Sequence, residues 1–311
     1  MRIAIIGQQL FGKAVMEAFL ARGDEVAGVF TAPEKPGASP DPLRIEAEKR
    51  NIPIFQMPNL TDAAAENAMK SLDADIGIMA FVLQFAPQNF VNVPRLGTIQ
   101  YHPSLLPKYR GPSSINWPIV CGERETGLTI FRPTDGMDEG PIILQKKIPI
   151  LPDDTLGSIY FDQLFPMGVA AMLEAAALVV AGRHVETPQD ESQASYEGWF
   201  RATEARINWN MHVNLVYNLI RGSDPAPGAW TTLNGKKIHL YGARKHLSPT
   251  FQSVKGRQIG VISAVGEKSF RISAHGGEIE VSTVRPADSK KMSATEYAGR
   301  NDLCIGMRLG D

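Results

Sequence analysis

Short apolar runs alternate with segments of helical spacing through the first hundred residues, and no other feature restricts the possible fold as much. Residues 2–6 form an apolar run ending at Gly7, and Phe11, Val15 and Phe19 then share one face of a helix over 11–21. The pattern continues as strand 26–30, a helix over 42–49 opened by Pro42, strand 52–55, helix 63–72, strand 76–82 and strand 98–101. Strands that are apolar at nearly every position are covered on both faces, which predicts an α/β domain with a mostly parallel sheet. Sheets of that kind hold their ligands beyond the carboxyl ends of the strands.

Gly7 and Gly12 do not make a dinucleotide fingerprint. The segment between them lacks the internal glycine of G-x-G-x-x-G, and the run ending at Phe30 continues as Thr31, Ala32, Pro33, with no acidic residue to take a ribose hydroxyl. No nicotinamide cofactor (NAD) is therefore expected. Gly7 reads as a tight turn and Gly12 as room for close helix packing.

The second half changes character. A helix rich in Ala and Leu is expected over 155–181, stopping at Gly182 with its apolar face on the sheet. A polar stretch then runs to Arg201 and reads as a linker. Beyond it a helix is predicted over 211–220, followed by turn material, and 237–241, 260–264, 269–273 and 279–283 are short β-prone runs. They predict a small β-barrel or sandwich of about 100 residues. The domain boundaries drawn from this are 1–181, a linker 182–203, and 204–311.

Composition narrows the class. With 311 residues, 43% hydrophobic and 21% charged, the chain reads as a soluble two-domain globular protein. No run approaches the roughly 18 apolar residues of a membrane span, and Met1 leads directly into a strand, so neither a membrane partner nor a signal peptide is expected. Cys121 and Cys304 lack metal-ligand spacing and read as isolated thiols in a reducing, cytoplasmic compartment. The net charge of −1 hides an asymmetry: residues 204–311 carry 15 Lys and Arg against 9 Asp and Glu, and the preceding 203 residues carry 17 against 24. A basic C-terminal half can assist an anionic partner such as RNA, but its charges are spread out with no concentrated patch.

Residues 100–111 read Gln-Tyr-His-Pro-Ser-Leu-Leu-Pro-Lys-Tyr-Arg-Gly, and Asp138 follows in Asp-Gly-Met-Asp-Glu-Gly. Pro103 holds His102 in an extended backbone at the end of a strand, and an imidazole can exchange a proton near neutral pH. Gly136 and Gly140 flank Asp138 and allow a sharp turn that would bring its carboxylate to the histidine. Such a pair suits proton transfer to a leaving amine and stabilisation of oxyanion charge, although a surface histidine near a loop aspartate has the same pattern. Gln100 lies two residues before His102, hence on the same strand face, where its amide can hold an oxyanion or simply meet solvent.

These residues resemble the folate-dependent formyltransferase family. The segment from Ser104 to Gly111, with His102 and Asp138, is similar to the family's loop and catalytic pair. Further similarity runs through Asp41, Pro42, Leu43, through Ser114, Ile115, Asn116, Trp117, and through Ile207, Asn208, Trp209. It is nearest to the hydrolase domain of the 10-formyltetrahydrofolate dehydrogenases, with the methionyl-tRNA formyltransferases also similar. The resemblance implies a Rossmann-like catalytic domain followed by a small OB-like barrel. It implies 10-formyltetrahydrofolate as formyl donor, no metal, and His102 and Asp138 as catalytic residues. Gln100 stands where the family usually has asparagine, which bears on where an oxyanion donor sits. The loop with Phe81, Val82, Leu83, Gln84 and Phe85, together with Leu105 and Asp138, would bind the reduced folate. Water is the acceptor favoured by the hydrolase resemblance; a methionyl-tRNA, an amino sugar or a carrier thiol remain open, as does a non-catalytic folate-binding module.

Overall fold

The computed structural model describes residues 1–248 and 258–310. Their contacts divide the chain into two units, each built from separated stretches: 1–114, 127–148 and 161–197 in the first, and 115–126, 149–160 and 198–311 in the second. The sequence boundaries at 181 and 204 treat the chain as two consecutive pieces, because periodicity reports local elements and carries no record of which unit each joins.

In the first unit the chain runs β1 (Arg2–Gly7), α1 (Gln9–Ala21), β2 (Glu25–Thr31), α2 (Pro42–Lys49), β3 (Ile54–Gln56), α3 (Ala63–Ser71), β4 (Ile76–Ala80), α4 (Gln88–Val91) and β5 (Thr98–His102). It leaves through α5 (Asn116–Cys121), which belongs to the second unit, and returns as β6 (Glu125–Phe131), β7 (Ile142–Pro149) and α6 (Phe165–Val180). The seven strands lie in the order β3-β2-β1-β4-β5-β6-β7. Pairing is parallel from β3 through β5 and antiparallel between β5 and β6. Order reverses between β1 and β4, the switch point at which sheets of this class open a ligand crevice. Both faces are covered: Ile3 and Ile5 on one and Ala4 and Ile6 on the other are all at most 2% exposed. On the face of Ala4 and Ile6, Phe30 stacks on Phe55 at 4.9 Å and meets the edge of Phe90 at 5.2 Å. Full burial of each such ring is worth about 1.5–3 kcal/mol.

Three details differ from the sequence expectation. Gly7 is the last residue of β1, paired with Ala80, and a Cβ there would collide with the Ala80 carbonyl, so close strand approach explains it better than a turn. The helix expected over 155–181 is α-helical at Leu156 and Gly157, turns π-helical over Ser158–Leu164, and is α-helical again as α6, with Pro166 in its first turn, where a missing N–H costs least. Finally, Ser158–Val180 has the length and average apolarity of a membrane span despite its polar interruptions. In α6 one side, including Ala171, Met172, Ala175 and Ala176, is buried in the protein core.

The second unit holds α7 (Val213–Gly222), β8 (Ala229–Leu233), β9 (Lys236–Leu247), β10 (Ile262–Val265), β11 (Phe270–Ala274), β12 (Gly277–Pro286), β13 (Met292–Ser293) and α8 (Ala294–Arg300). The strands form an antiparallel sheet ordered β10-β11-β12-β9-β8, with β13 added on β12. Its two edges are joined by one strap. Arg308 bridges to Val261 beside β10 and Leu309 to Leu233 in β8, with Leu309 N–H donating to the Gly260 carbonyl and Gly310 N–H to Thr232. The strap closes the sheet into a barrel around Val213, Ile238, Ile262, Phe270 and Val281.

Candidate active site

The site grows from the ends of β4 and β5. His102 is the last residue of β5, with its extended backbone continuing into Pro103. It is 5% exposed. Its Nε2 lies 2.9 Å from the Tyr109 carbonyl and its Nδ1 lies 3.5 Å from Oδ2 of Asp138. Both neighbours are acceptors, and of the two contacts the one from Nε2 to the Tyr109 carbonyl has hydrogen-bond length. A 3.5 Å separation is long for a hydrogen bond, and proton-transfer contacts of this kind tighten around substrate.

Asp138 itself, and not its flanking glycines, supplies the turn. Its φ is 56°, in the left-handed region, while Gly136 and Gly140 are not. Gly140 is needed for another reason, since a Cβ there would strike the Arg132 carbonyl. The same Oδ2 that faces His102 accepts the backbone N–H of Gly111 at 2.9 Å, so the end of β5 and the loop after it hold one oxygen of a carboxylate that the loop after β6 carries. Gly111, at φ 103°, has no room for a Cβ against the Glu197 carbonyl.

The loop between them is braced from below. Ser104 Oγ donates to the Lys108 carbonyl, Thr129 Oγ1 to the Ser104 carbonyl, and Gln145 Nε2 to the Leu106 carbonyl and to Thr129 Oγ1. Leu105 is half-buried in the same loop. Gln100 is half-buried on β5, two residues from His102 and paired in register with Phe131.

The loop after β4 lies at the strand end beside the switch point. Phe81, Leu83 and Phe85 are exposed by 42%, 56% and 55%, three large apolar side chains left to solvent within five residues. Val82 instead packs against the core, and Gln84 pins the loop by donating from Nε2 to the carbonyls of Met57 and Pro58. At its far end Gln88 donates from its backbone to Asp135 and from Nε2 to the Pro133 carbonyl, tying this loop to that of Asp138.

Sequence reasoning missed the segment 182–197, read as linker. Gln189, Glu191, Ser195 and Tyr196 all bond to the site loops, and Ser195 Oγ accepts the Tyr109 N–H at 2.8 Å. Arg110 is wholly buried and ion-paired with Glu191, whose carboxylate raises the guanidinium pKa further above its ordinary value. No group of His, Cys, Asp and Glu among the described residues could hold a metal ion. A cavity of about 370 Å³ in the second unit, lined among others by Arg206, Trp209 and Arg308, involves none of the predicted site residues.

A Rossmann-like sheet with a histidine–aspartate pair beyond the end of β5, followed by a small antiparallel barrel, is the arrangement of the formyltransferase fold. The formyl transferase profile matches residues 1–174 and the formyl transferase C-terminal domain profile residues 200–301; the chain belongs to the formyl transferase family, whose members are folate-dependent enzymes. It is 40% identical over 315 residues to the mitochondrial 10-formyltetrahydrofolate dehydrogenase of Mus musculus, matching 98% of this chain but 34% of that protein. The chain thus spans about a third of the length of the dehydrogenases it matches. Against the methionyl-tRNA formyltransferase of Syntrophus aciditrophicus identity is 32%, covering 99% of this chain and 98% of that one. HypX from Aquifex aeolicus, solved in complex with tetrahydrofolic acid, shares the fold with a TM-score of 0.69 at 22% identity, over 96% of this chain and 47% of that one.

Proposed function

We propose that this protein removes the formyl group of 10-formyltetrahydrofolate by hydrolysis, yielding tetrahydrofolate and formate. The observation that carries the reading is the gripping of one Asp138 oxygen between His102 Nδ1 and the Gly111 N–H, in a chain 40% identical to 10-formyltetrahydrofolate dehydrogenase. Phe81, Leu83 and Phe85 offer apolar surface for a flat ring, and backbone groups of the same loop offer donors and acceptors to its edge. Water attacks the formyl carbon, and the carbonyl becomes an oxyanion held by Gln100 and protonated His102. Asp138 orients the imidazole and draws a proton from the attacking water. The C–N10 bond then breaks, N10 takes the proton that Asp138 drew from the water and leaves as an amine, and the formic acid released ionises to formate. Nε2 of His102 donates to the Tyr109 carbonyl in this structure, so donation to substrate exchanges that contact. A cytoplasmic setting agrees with two exposed cysteines that form no disulfide.

A second reading is formyl transfer to the amine of methionyl-tRNA, supported by the match along nearly the whole length of a methionyl-tRNA formyltransferase and by the basic balance of residues 204–311. Incubating the protein with 10-formyltetrahydrofolate, with and without charged initiator tRNA, separates the two. Formate released without acceptor supports hydrolysis, whereas tetrahydrofolate formed only with the tRNA, and with weakening at high salt, supports transfer. No turnover under either condition, with folate still bound, leaves a binding module.

A further inference from the structure

We infer that Gln189 is a positioning residue that clamps the backbone of the Asp138 loop, with Arg110 fixing the polarity of the clamp. The inference rests on the reading of Asp138 as the carboxylate that serves His102. Gln189 Nε2 donates to the carbonyls of both Asp138, at 2.8 Å, and Gly140, at 2.7 Å. Its Oε1 accepts from Nε and Nη2 of Arg110, at 3.1 and 2.8 Å. The amide is therefore fully used, and a guanidinium that can only donate decides which end of it faces the loop.

Arg110 is held just as completely. Besides Gln189 it gives Nη1 and Nη2 to the two oxygens of Glu191, at 2.9 and 2.6 Å, and Nη1 also to the Tyr196 hydroxyl, which itself donates to Glu139 at 2.6 Å. All five guanidinium N–H groups are engaged on a side chain with no exposed surface. With every donor engaged, the guanidinium plane is fixed, and with it the face it offers Gln189.

The clamp acts where the backbone turns left-handed. A left-handed aspartate is strained unless its surroundings enforce it, and the two Gln189 bonds fall on the carbonyls of residues 138 and 140, at and just beyond that strain. Gln189 does not touch the Asp138 carboxylate; it sets the direction in which that carboxylate points. Displacement of a catalytic group by about an ångström costs roughly 100-fold in rate.

Gln189→Glu keeps the length and the Arg110 partner but turns a donor into an acceptor against two carbonyls; Gln189→Met keeps length alone. Release of tetrahydrofolate from 10-formyltetrahydrofolate is measured for each variant, alone and combined with Asp138→Asn, and thermal melting checks the fold. The expected result is a kcat at least about tenfold lower in both variants with KM within about threefold, and less than about twofold further loss when Gln189→Glu is added to Asp138→Asn. If Asp138→Asn cripples turnover and both Gln189 variants stay within twofold of the parent, the clamp is overturned and the catalytic reading stands. Losses that multiply in the double variant overturn it too, since Gln189 would then act by another route, and so does collapse of the fold in both variants. Parent-like turnover in Asp138→Asn overturns the catalytic reading first, and the clamp with it.

Discussion

A carboxylate carried on a left-handed residue and shared between an imidazole and a backbone N–H is a narrow target for substitution. Asp138→Asn keeps the Gly111 contact but removes the charge that accompanies a protonated His102; the expected fall in kcat is at least roughly 100-fold, as for His102→Ala, with little change in folate affinity, measured by steady-state turnover and equilibrium titration. Gln100→Asn tests reach along the same strand face. If the site is built around the longer amide, turnover drops by about tenfold or more; a rise would show that asparagine places the oxyanion donor better. At this scale the sequence was partly legible. His102 and Asp138 stand out as a pair through a proline-stiffened strand end and a motif between two glycines, and the structure brings them to 3.5 Å, although Asp138 and not its glycines makes the turn. Gln189 and Arg110 do not, because a glutamine in a polar stretch has no period, and nothing local says which carbonyls it will meet 51 residues away.

Elements were legible where burial imposes a rhythm. The strands of the parallel region and helix α2 fall where apolar runs and a proline predict, whereas β6 and β7 escaped notice and the polar segment 182–197 hid its contacts. Asp41 shows how one side chain can serve two elements. It caps α2 by accepting the Leu43 N–H at 2.9 Å and, through both oxygens, takes the Gln9 N–H at the start of α1. Asp41→Ala should destabilise the protein by about 1–2 kcal/mol in denaturant unfolding, since two helix starts lose an acceptor at once. The loop before it responds to acid. The Asp41 backbone N–H, and then Arg44, hold the Glu34 carboxyl down at about 2 from an ordinary 4.5. A depressed carboxyl stabilises the folded state above its unfolded value, and that stabilisation is lost as pH falls from about 4.5 through about 2. Melting temperatures of the parent and Glu34→Gln should therefore differ above pH 5, in favour of the parent, and converge toward pH 2.

On the scale of the whole molecule, the barrel depends on a strap of a few residues. Leu309 is 3% exposed, and removal of residues 307–311 takes away its burial together with the bonds at Gly260, Ile262 and Thr232 that join the two sheet edges. The expected loss is at least about 2 kcal/mol, read as a lower denaturation midpoint followed by the tryptophan signal. The sequence revealed the β-prone runs of this unit but not their closure, which rests on single bridges too short to leave a pattern.

The interleaving of the two units also imposes a timetable on synthesis. The first unit draws on residues 1–114, 127–148 and 161–197, so a growing chain cannot complete it until Glu197 has left the ribosome. Asp138 emerges 51 residues ahead of Gln189, a wait of roughly 3–10 s at about 5–20 residues per second. Until Gln189 has emerged, the carbonyls of Asp138 and Gly140 wait without the amide that meets them in the finished fold.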